Sequence, residues 1–174
     1  SEGNYGVALL NDCKYGYDIH DNVMRLSLLK SATHPDATAD QGEHRMTYSL
    51  LPHQGDWRNS VVPAAYDLND PLILRRVSGG SGKVTQGSSF VTVNQPNAII
   101  ETVKQAEDGN GIIVRLYEGE RNRCTVSVSA GFGIKEAHHC NLLEENESSL
   151  SVADNQVKLD LHPYQIATIR LVPV

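Results

Sequence analysis

The stretch CTVSVSA, Cys124–Ala130, repeats with a period of two. Cys124, Val126, Val128 and Ala130 fall on one side, and Thr125, Ser127 and Ser129 on the other. Successive side chains of an extended chain point to opposite faces, so the pattern predicts a strand with one face in a core and one toward water. The same alternation recurs on both sides of it. Val157, Leu159 and Leu161 alternate with Lys158 and Asp160, and Met24, Leu26 and Leu28 alternate with Arg25 and Ser27. Ile112, Val114 and Leu116 share a face, while Ile113, Arg115 and Tyr117 take the other. Shorter strands are expected over residues 5–10, 44–51, 72–75, 90–93, 98–104, 134–142 and 165–172.

Turn chemistry separates these runs. Residues 94–97 surround Pro96, Asp108-Gly109-Asn110-Gly111 is a run of turn formers, and Asp154-Asn155 lies between two short alternating runs as a hairpin would. Only residues 56–69 read as helical. Pro63 interrupts them, so a helix there is short or starts near that proline. Many short strands with frequent turns predict an all-β chain, an antiparallel β-sandwich with at most one short helix. One seam is visible at 77–89, VSGGSGKVTQGSS, with four glycines. It reads as a flexible Gly/Ser-rich loop between two halves of one sandwich spanning residues 1–174, in preference to a domain linker.

Composition narrows the class. The 174 residues are 40% hydrophobic and 21% charged, as in a globular chain able to bury a core. A net charge of −6 argues against nucleic-acid binding, which needs a basic face to displace phosphate counterions. The longest uninterrupted apolar run, 7–10, is far too short for a membrane-spanning helix, and the first residues lack a signal-peptide pattern. Cys13, Cys124 and Cys140 match no zinc spacing and no C-x-x-C motif, which points to reduced thiols in a reducing compartment.

Four segments invite a chemical reading. The glycine-rich stretch fails the phosphate-loop pattern twice, with Val77 where the first glycine should stand and Val84 after Lys83. His138-His139-Cys140 offers metal-binding groups, but alternation sends His138 and His139 to opposite faces, and His138 with Cys140 makes only two ligands. His34-Pro35-Asp36, with Asp40, Glu43 and His44 nearby, reads as a solvated loop. Asn11–Asp18, NDCKYGYD, is the most unusual. It follows an apolar strand and mixes amide, carboxylate, amine and phenol groups, which suits hydrogen bonding and aromatic contact to a sugar. A polar hairpin with Gly16 at positive φ accounts for it equally well. No G-x-S-x-G elbow is present, and sequence spacing reveals no glycosidase carboxylate pair.

Longer segments carry a resemblance. YGVALLNDCKYGYD (5–18), LSLLKSATHPDATADQGEHRMTYSLLPHQGDW (26–57) and AAYDLNDPL (64–72) are similar to the C-terminal region of glycoside hydrolase family 38 α-mannosidases, in particular the cytosolic/vacuolar and bacterial branch. ETVKQAEDG (101–109), IVRLYE (113–118), CNLLEE (140–145) and LHPYQIATIRL (161–171) extend the likeness in order to the end. The resemblance implies a parent enzyme that hydrolyses terminal α-mannosides with retention, using an aspartate nucleophile and a zinc ion. Both belong to an N-terminal catalytic domain that this chain lacks, so no catalytic residue, metal ligand or cofactor is carried onto it. His34-Pro35-Asp36 imitates the family's zinc pair in letters but stands in the C-terminal part. The family's C-terminal β-domain lends a loop to the sugar pocket, and Asn11-Asp12-Cys13-Lys14-Tyr15-Gly16 matches that region. Asn11, Asp12, Lys14 and Tyr15 are therefore the expected substrate-binding residues.

The implied partners are the N-terminal catalytic domain, an α-mannoside through the parent pocket and further copies in a homo-oligomer, with no nucleic acid and no membrane. The implied location is cytoplasmic. Relatives begin their β-region upstream of Ser1, so missing partner strands and exposed apolar surface are expected. Two other readings are an independent carbohydrate-binding module and a structural oligomerisation domain. The module usually offers an aromatic platform, whereas here aromatics are 6% and the single Trp57 lies in an irregular segment.

Overall fold

The computed structural model describes residues 3–76, 78–79 and 87–174. The chain forms two compact units, Ser1–Ser78 and Gly79–Val174. The glycine-rich seam read at 77–89 falls at this division, and residues 77 and 80–86 of it lie outside the described residues.

In the first unit, β1 (Tyr5–Asn11) pairs antiparallel with a strand at Tyr48–Gln54, from Tyr5 opposite Gln54 to Asn11 opposite Tyr48. Between them in sequence, β2 (Tyr17–His20) and β3 (Val23–Leu26) form a hairpin whose tip holds Asp21 at φ 51°. The Tyr48–Gln54 strand is β4. One α-helix, α1 (Val61–Asn69), occurs among the described residues and packs against β1. Pro63 sits in its first turn, where a missing N–H breaks no helical bond, as the sequence predicts. A single 3-10 turn at Trp57–Asn59 precedes it, capped by Asp56, which accepts the Arg58 N–H at 2.9 Å.

The second unit is the sandwich. Its strands are β5 (Val91–Val93), β6 (Ala98–Gln105), β7 (Ile112–Glu118), β8 (Cys124–Ala130), β9 (Ile134–Cys140), β10 (Asn146–Leu150), β11 (Val152–Ala153), β12 (Gln156–Leu161) and β13 (Ile166–Pro173). They make a five-stranded sheet ordered β10-β9-β13-β7-β6 and a four-stranded sheet ordered β11-β12-β8-β5, every pair antiparallel. The core contains Val114 and Leu116 of β7, Val126 and Val128 of β8, Val157, Leu159 and Leu161 of β12, and Ala167, Ile169 and Leu171 of β13. The residues of β7, β8 and β12 are the apolar phases of three of the alternating runs, where periodicity and packing agree. Met24 and Leu28 of the fourth run, in contrast, are 38% and 41% exposed. Asp154 and Asn155 both take positive φ, 51° and 61°, as a two-residue hairpin with the strands' own twist requires. Gly109 and Gly111 provide the positive φ of the β6–β7 turn.

The expected strand at 72–75 is not formed. Leu72, Ile73 and Leu74 are 94%, 86% and 92% exposed, with no ladder. A short apolar run without a pairing partner cannot satisfy its backbone as a strand. Conversely, β10, NESSL, has no apolar alternation and exists because it lies along β9, with Leu150 opposite Ala137.

Candidate functional site

The loop after β1 is pinned on three sides. Thr47 N–H donates to both Asp12 carboxylate oxygens at 3.0 Å, and Asp12 N–H returns a bond to Thr47 O at 3.2 Å. Asn69 of α1 donates its amide to Asn11 O at 3.3 Å, and Ser27 N–H donates to Gly16 O at 2.7 Å. Inside the loop, Asn11 Oδ1 accepts Lys14 N–H at 2.6 Å, the local turn that asparagine side chains favour. The Cys13 thiol and the Thr47 N–H hold the Asp12 carboxyl below its usual range, and Asp12 pushes the Cys13 thiol up.

The four expected residues thus divide. Asn11 and Asp12 have side chains engaged in holding the loop. Tyr15 is 87% exposed, and the half-buried Lys14 has an ammonium without a hydrogen-bond partner among the described residues. Asn11 also reaches a cleft of about 380 Å³ between β1 and the β2–β3 hairpin, with Leu9, Tyr17, Asp18, Met24 and Arg25. Arg25 and Asp18 pair across the hairpin at 3.3 Å. Such a volume is within the range of small-ligand pockets. Asp12, Lys14 and Tyr15 stand outside its lining. Gly16 differs from the sequence expectation, because its φ is not positive. Space is tight there: a Cβ would stand 3.1 Å from the Ser27 Cβ.

The other sequence candidates have local roles. Asp36 accepts the Thr38 N–H and hydroxyl, both at 2.8 Å, which hold its carboxyl below the usual range in an exposed turn. On β9, His138 and Cys140 share a face with Arg170 and Thr168, and His139 lies with Ile169 on the opposite face. The Cys140 thiol donates to Asn146 Oδ1 at 3.2 Å, and burial pushes it up. The buried Arg170 guanidinium beside this face repels a cation. Among the described residues no three His, Cys, Asp or Glu side chains converge to hold a metal ion.

Sequence reading passed over three buried charges. Glu118 ends β7 in the apolar phase, continuing Val114 and Leu116, and is 0% exposed. It accepts Asn97 Nδ2 at 2.9 Å, Glu120 N–H at 2.8 Å and Tyr164 N–H at 3.0 Å. Burial pushes its carboxyl up, but these donors and the Asn122 N–H outweigh burial and lower it to about 2. The phase of the alternation was the available signal. At the opposite edge Arg170, 4% exposed, donates to Asp108 at 2.7 and 2.8 Å, to Asn110 O at 2.6 Å and to Glu144 O at 2.7 Å. Glu144 accepts Lys104 Nζ and Glu107 N–H, each at 2.8 Å. These groups staple loops together.

Comparison with known families gives two matches. Residues 97–169 match the glycosyl hydrolases family 38 C-terminal beta sandwich domain, and residues 1–38 match the glycosyl hydrolases family 38 C-terminal domain. Alpha-mannosidase 2C1 of Mus musculus and of Homo sapiens are each 39% identical over 178 residues, covering 99% of this chain and 17% of the relative. The alpha-mannosidase of Saccharomyces cerevisiae is 30% identical over 195 residues, covering 98% of this chain and 18% of the relative. The chain thus spans about a sixth of the length of these relatives. The sandwich with its buried apolar phases, the two family matches and the alignment along nearly the whole chain agree that this chain belongs to the C-terminal domains of glycosyl hydrolases family 38.

Proposed function

We propose that this chain is the non-catalytic β-region of a zinc-dependent, retaining α-mannosidase that acts on terminal α-mannosides. It packs on the N-terminal catalytic domain and lends the loop around Lys14 and Tyr15 to the sugar pocket. The matches to two family 38 C-terminal domains, with nearly the whole chain aligned to 17% of an α-mannosidase, carry this reading. The first unit supports the packing. Leu10 is its one large apolar side chain in the buried class among the described residues, while Val7, Met24, Leu28, Tyr48 and Leu50 are 38–64% exposed. A sheet face this apolar gains by covering. The three free thiols support a cytoplasmic setting.

Asn11 and Asp12 shape the loop, and Lys14 and Tyr15 carry the contact, the ammonium and phenol meeting sugar hydroxyls and ring. An independent carbohydrate-binding module is less well supported. Arg58 lies over the Trp57 ring at 4.7 Å, so one face of the single indole is already occupied. The test is kinetic. Lys14→Ala and Tyr15→Ala, each in a full-length polypeptide carrying this chain, are expected to lower kcat/KM on a mannobiose substrate about 10-fold or more. The 174-residue chain alone is expected to leave an aryl α-mannoside intact. Unchanged kcat/KM for both variants overturns the loop assignment, and zinc-dependent hydrolysis by the pure chain overturns the non-catalytic one.

A further inference from the structure

The turn joining β9 to β10 is built rigidly around two leucines that face water. Asn141 Oδ1 accepts Leu143 N–H at 2.9 Å and Glu145 N–H at 3.1 Å, and Asn141 Nδ2 donates to Glu145 Oε2 at 2.7 Å. Glu144 N–H donates to Asn141 O at 3.0 Å, with Glu144 itself at φ 68°. Glycine would relieve that backbone strain, yet would surrender the carboxylate bonds to Lys104 and Glu107. Arg170 holds the turn's carbonyl from beneath. What this scaffold presents is Leu142 and Leu143, 68% and 80% exposed. Single exposed leucines are ordinary. Two adjacent ones on a turn held by buried charges are different, because the backbone that carries them is already fixed by hydrogen bonds before any partner arrives.

The surroundings say which partner fits. Glu107, Asp108, Glu144 and Glu145 stand around the turn with two cations, Lys104 and Arg170. A second copy meeting this face through a two-fold axis would set the excess negative charge against itself. An apolar pocket rimmed by lysine or arginine complements it in both shape and sign. We infer that Leu142 and Leu143 form a preformed knob that inserts into a cation-rimmed apolar pocket on the catalytic region joined to this chain. The inference rests on the reading that such a region is present and packs here.

The test is site-resolved maleimide labelling, read by peptide mass because Cys13 is itself exposed. Leu142→Cys and, separately, Leu50→Cys on the first unit are compared in the 174-residue chain and in a full-length polypeptide carrying it. Both sites are solvent-facing, so neither change removes a buried contact. The position-142 thiol is expected to react about 10-fold or more slowly in the full-length protein, at every protein concentration. Equal rates at position 142 with slowing at position 50 overturn this inference alone. Equal rates at both positions overturn the packing reading beneath it as well. Slowing that grows with concentration in the 174-residue chain overturns it in favour of a second copy.

Discussion

Glu118→Gln tests what the buried carboxylate contributes, since the change keeps the shape, removes the charge and replaces one acceptor oxygen with an N–H donor. A carboxyl at about 2 in the fold and near 4.5 when unfolded favours the folded state by about 3 kcal/mol at pH 7, each pKa unit being worth about 1.4 kcal/mol. The hydrogen bonds that cause this shift are of matching strength. Glu118 accepts three N–H donors at 2.8–3.0 Å in a site closed to water. Neutralising such bonds, and turning an amide N–H toward at least one donor, costs about 2–4 kcal/mol. That is a large part of the 5–15 kcal/mol that holds a typical domain.

The sign of the pH dependence follows from the direction of the shift. Because the folded value is depressed, the contribution is fully present above about pH 4.5 and is lost as pH falls through about 2. Urea titrations of both forms, followed by far-UV circular dichroism, measure the gap. Amide exchange of β7 and β13 assigns it to the sandwich, since Trp57 reports on the other unit. The expected gap is about 3 kcal/mol at pH 7, closing toward pH 2. A gap below about 1 kcal/mol at pH 7, or one unchanged between pH 7 and 2, refutes the assignment of the stability to the ionised carboxylate.

Two glycines of one turn make a paired test. Gly111 has φ 99°, and a Cβ there would stand 2.7 Å from Leu171 O, so Gly111→Ala should cost about 1–3 kcal/mol and lower Tm by several degrees. Gly109→Ala, at φ 75° with open space, should cost about 1 kcal/mol, and equal losses by thermal melts would contradict the contact argument. Asn155→Gly keeps the positive φ but loses the acceptor for Ile134 N–H at 2.7 Å and the donations to Ala130 O and Phe132 O. A loss of about 1–3 kcal/mol in urea titrations is expected, whereas no loss would mean that backbone geometry alone selects asparagine there.

Legibility followed the strength of the local signal. β8 and β12 could be read because their apolar residues repeat every second place, and the fold buries Val126, Val128, Val157, Leu159 and Leu161 together. β10 could not, since Asn146–Leu150 owes its extended form to β9 alongside it. Leu72–Leu74 misled because apolar composition without a ladder partner looks the same in one dimension as a buried strand. At the candidate site, the loop was legible as a dense set of polar groups. Its internal division was not, because the partners of Asn11 and Asp12 include Thr47 and Asn69, remote in sequence.

From residue order alone come the all-β class, a short helix near Pro63 and the two-residue hairpin at Asp154-Asn155. Each rests on local chemistry: side-chain alternation, a ring without an N–H, and residues that tolerate positive φ. Tertiary structure alone decided that Glu118 is an ionised clip, that Gly16 packs closely on Ser27, and that Leu142 and Leu143 stand on a turn anchored by Arg170. Those facts depend on burial and on donors brought from distant parts of the chain. A carboxylate in water and the same carboxylate among three N–H groups are identical as letters and differ only in their surroundings.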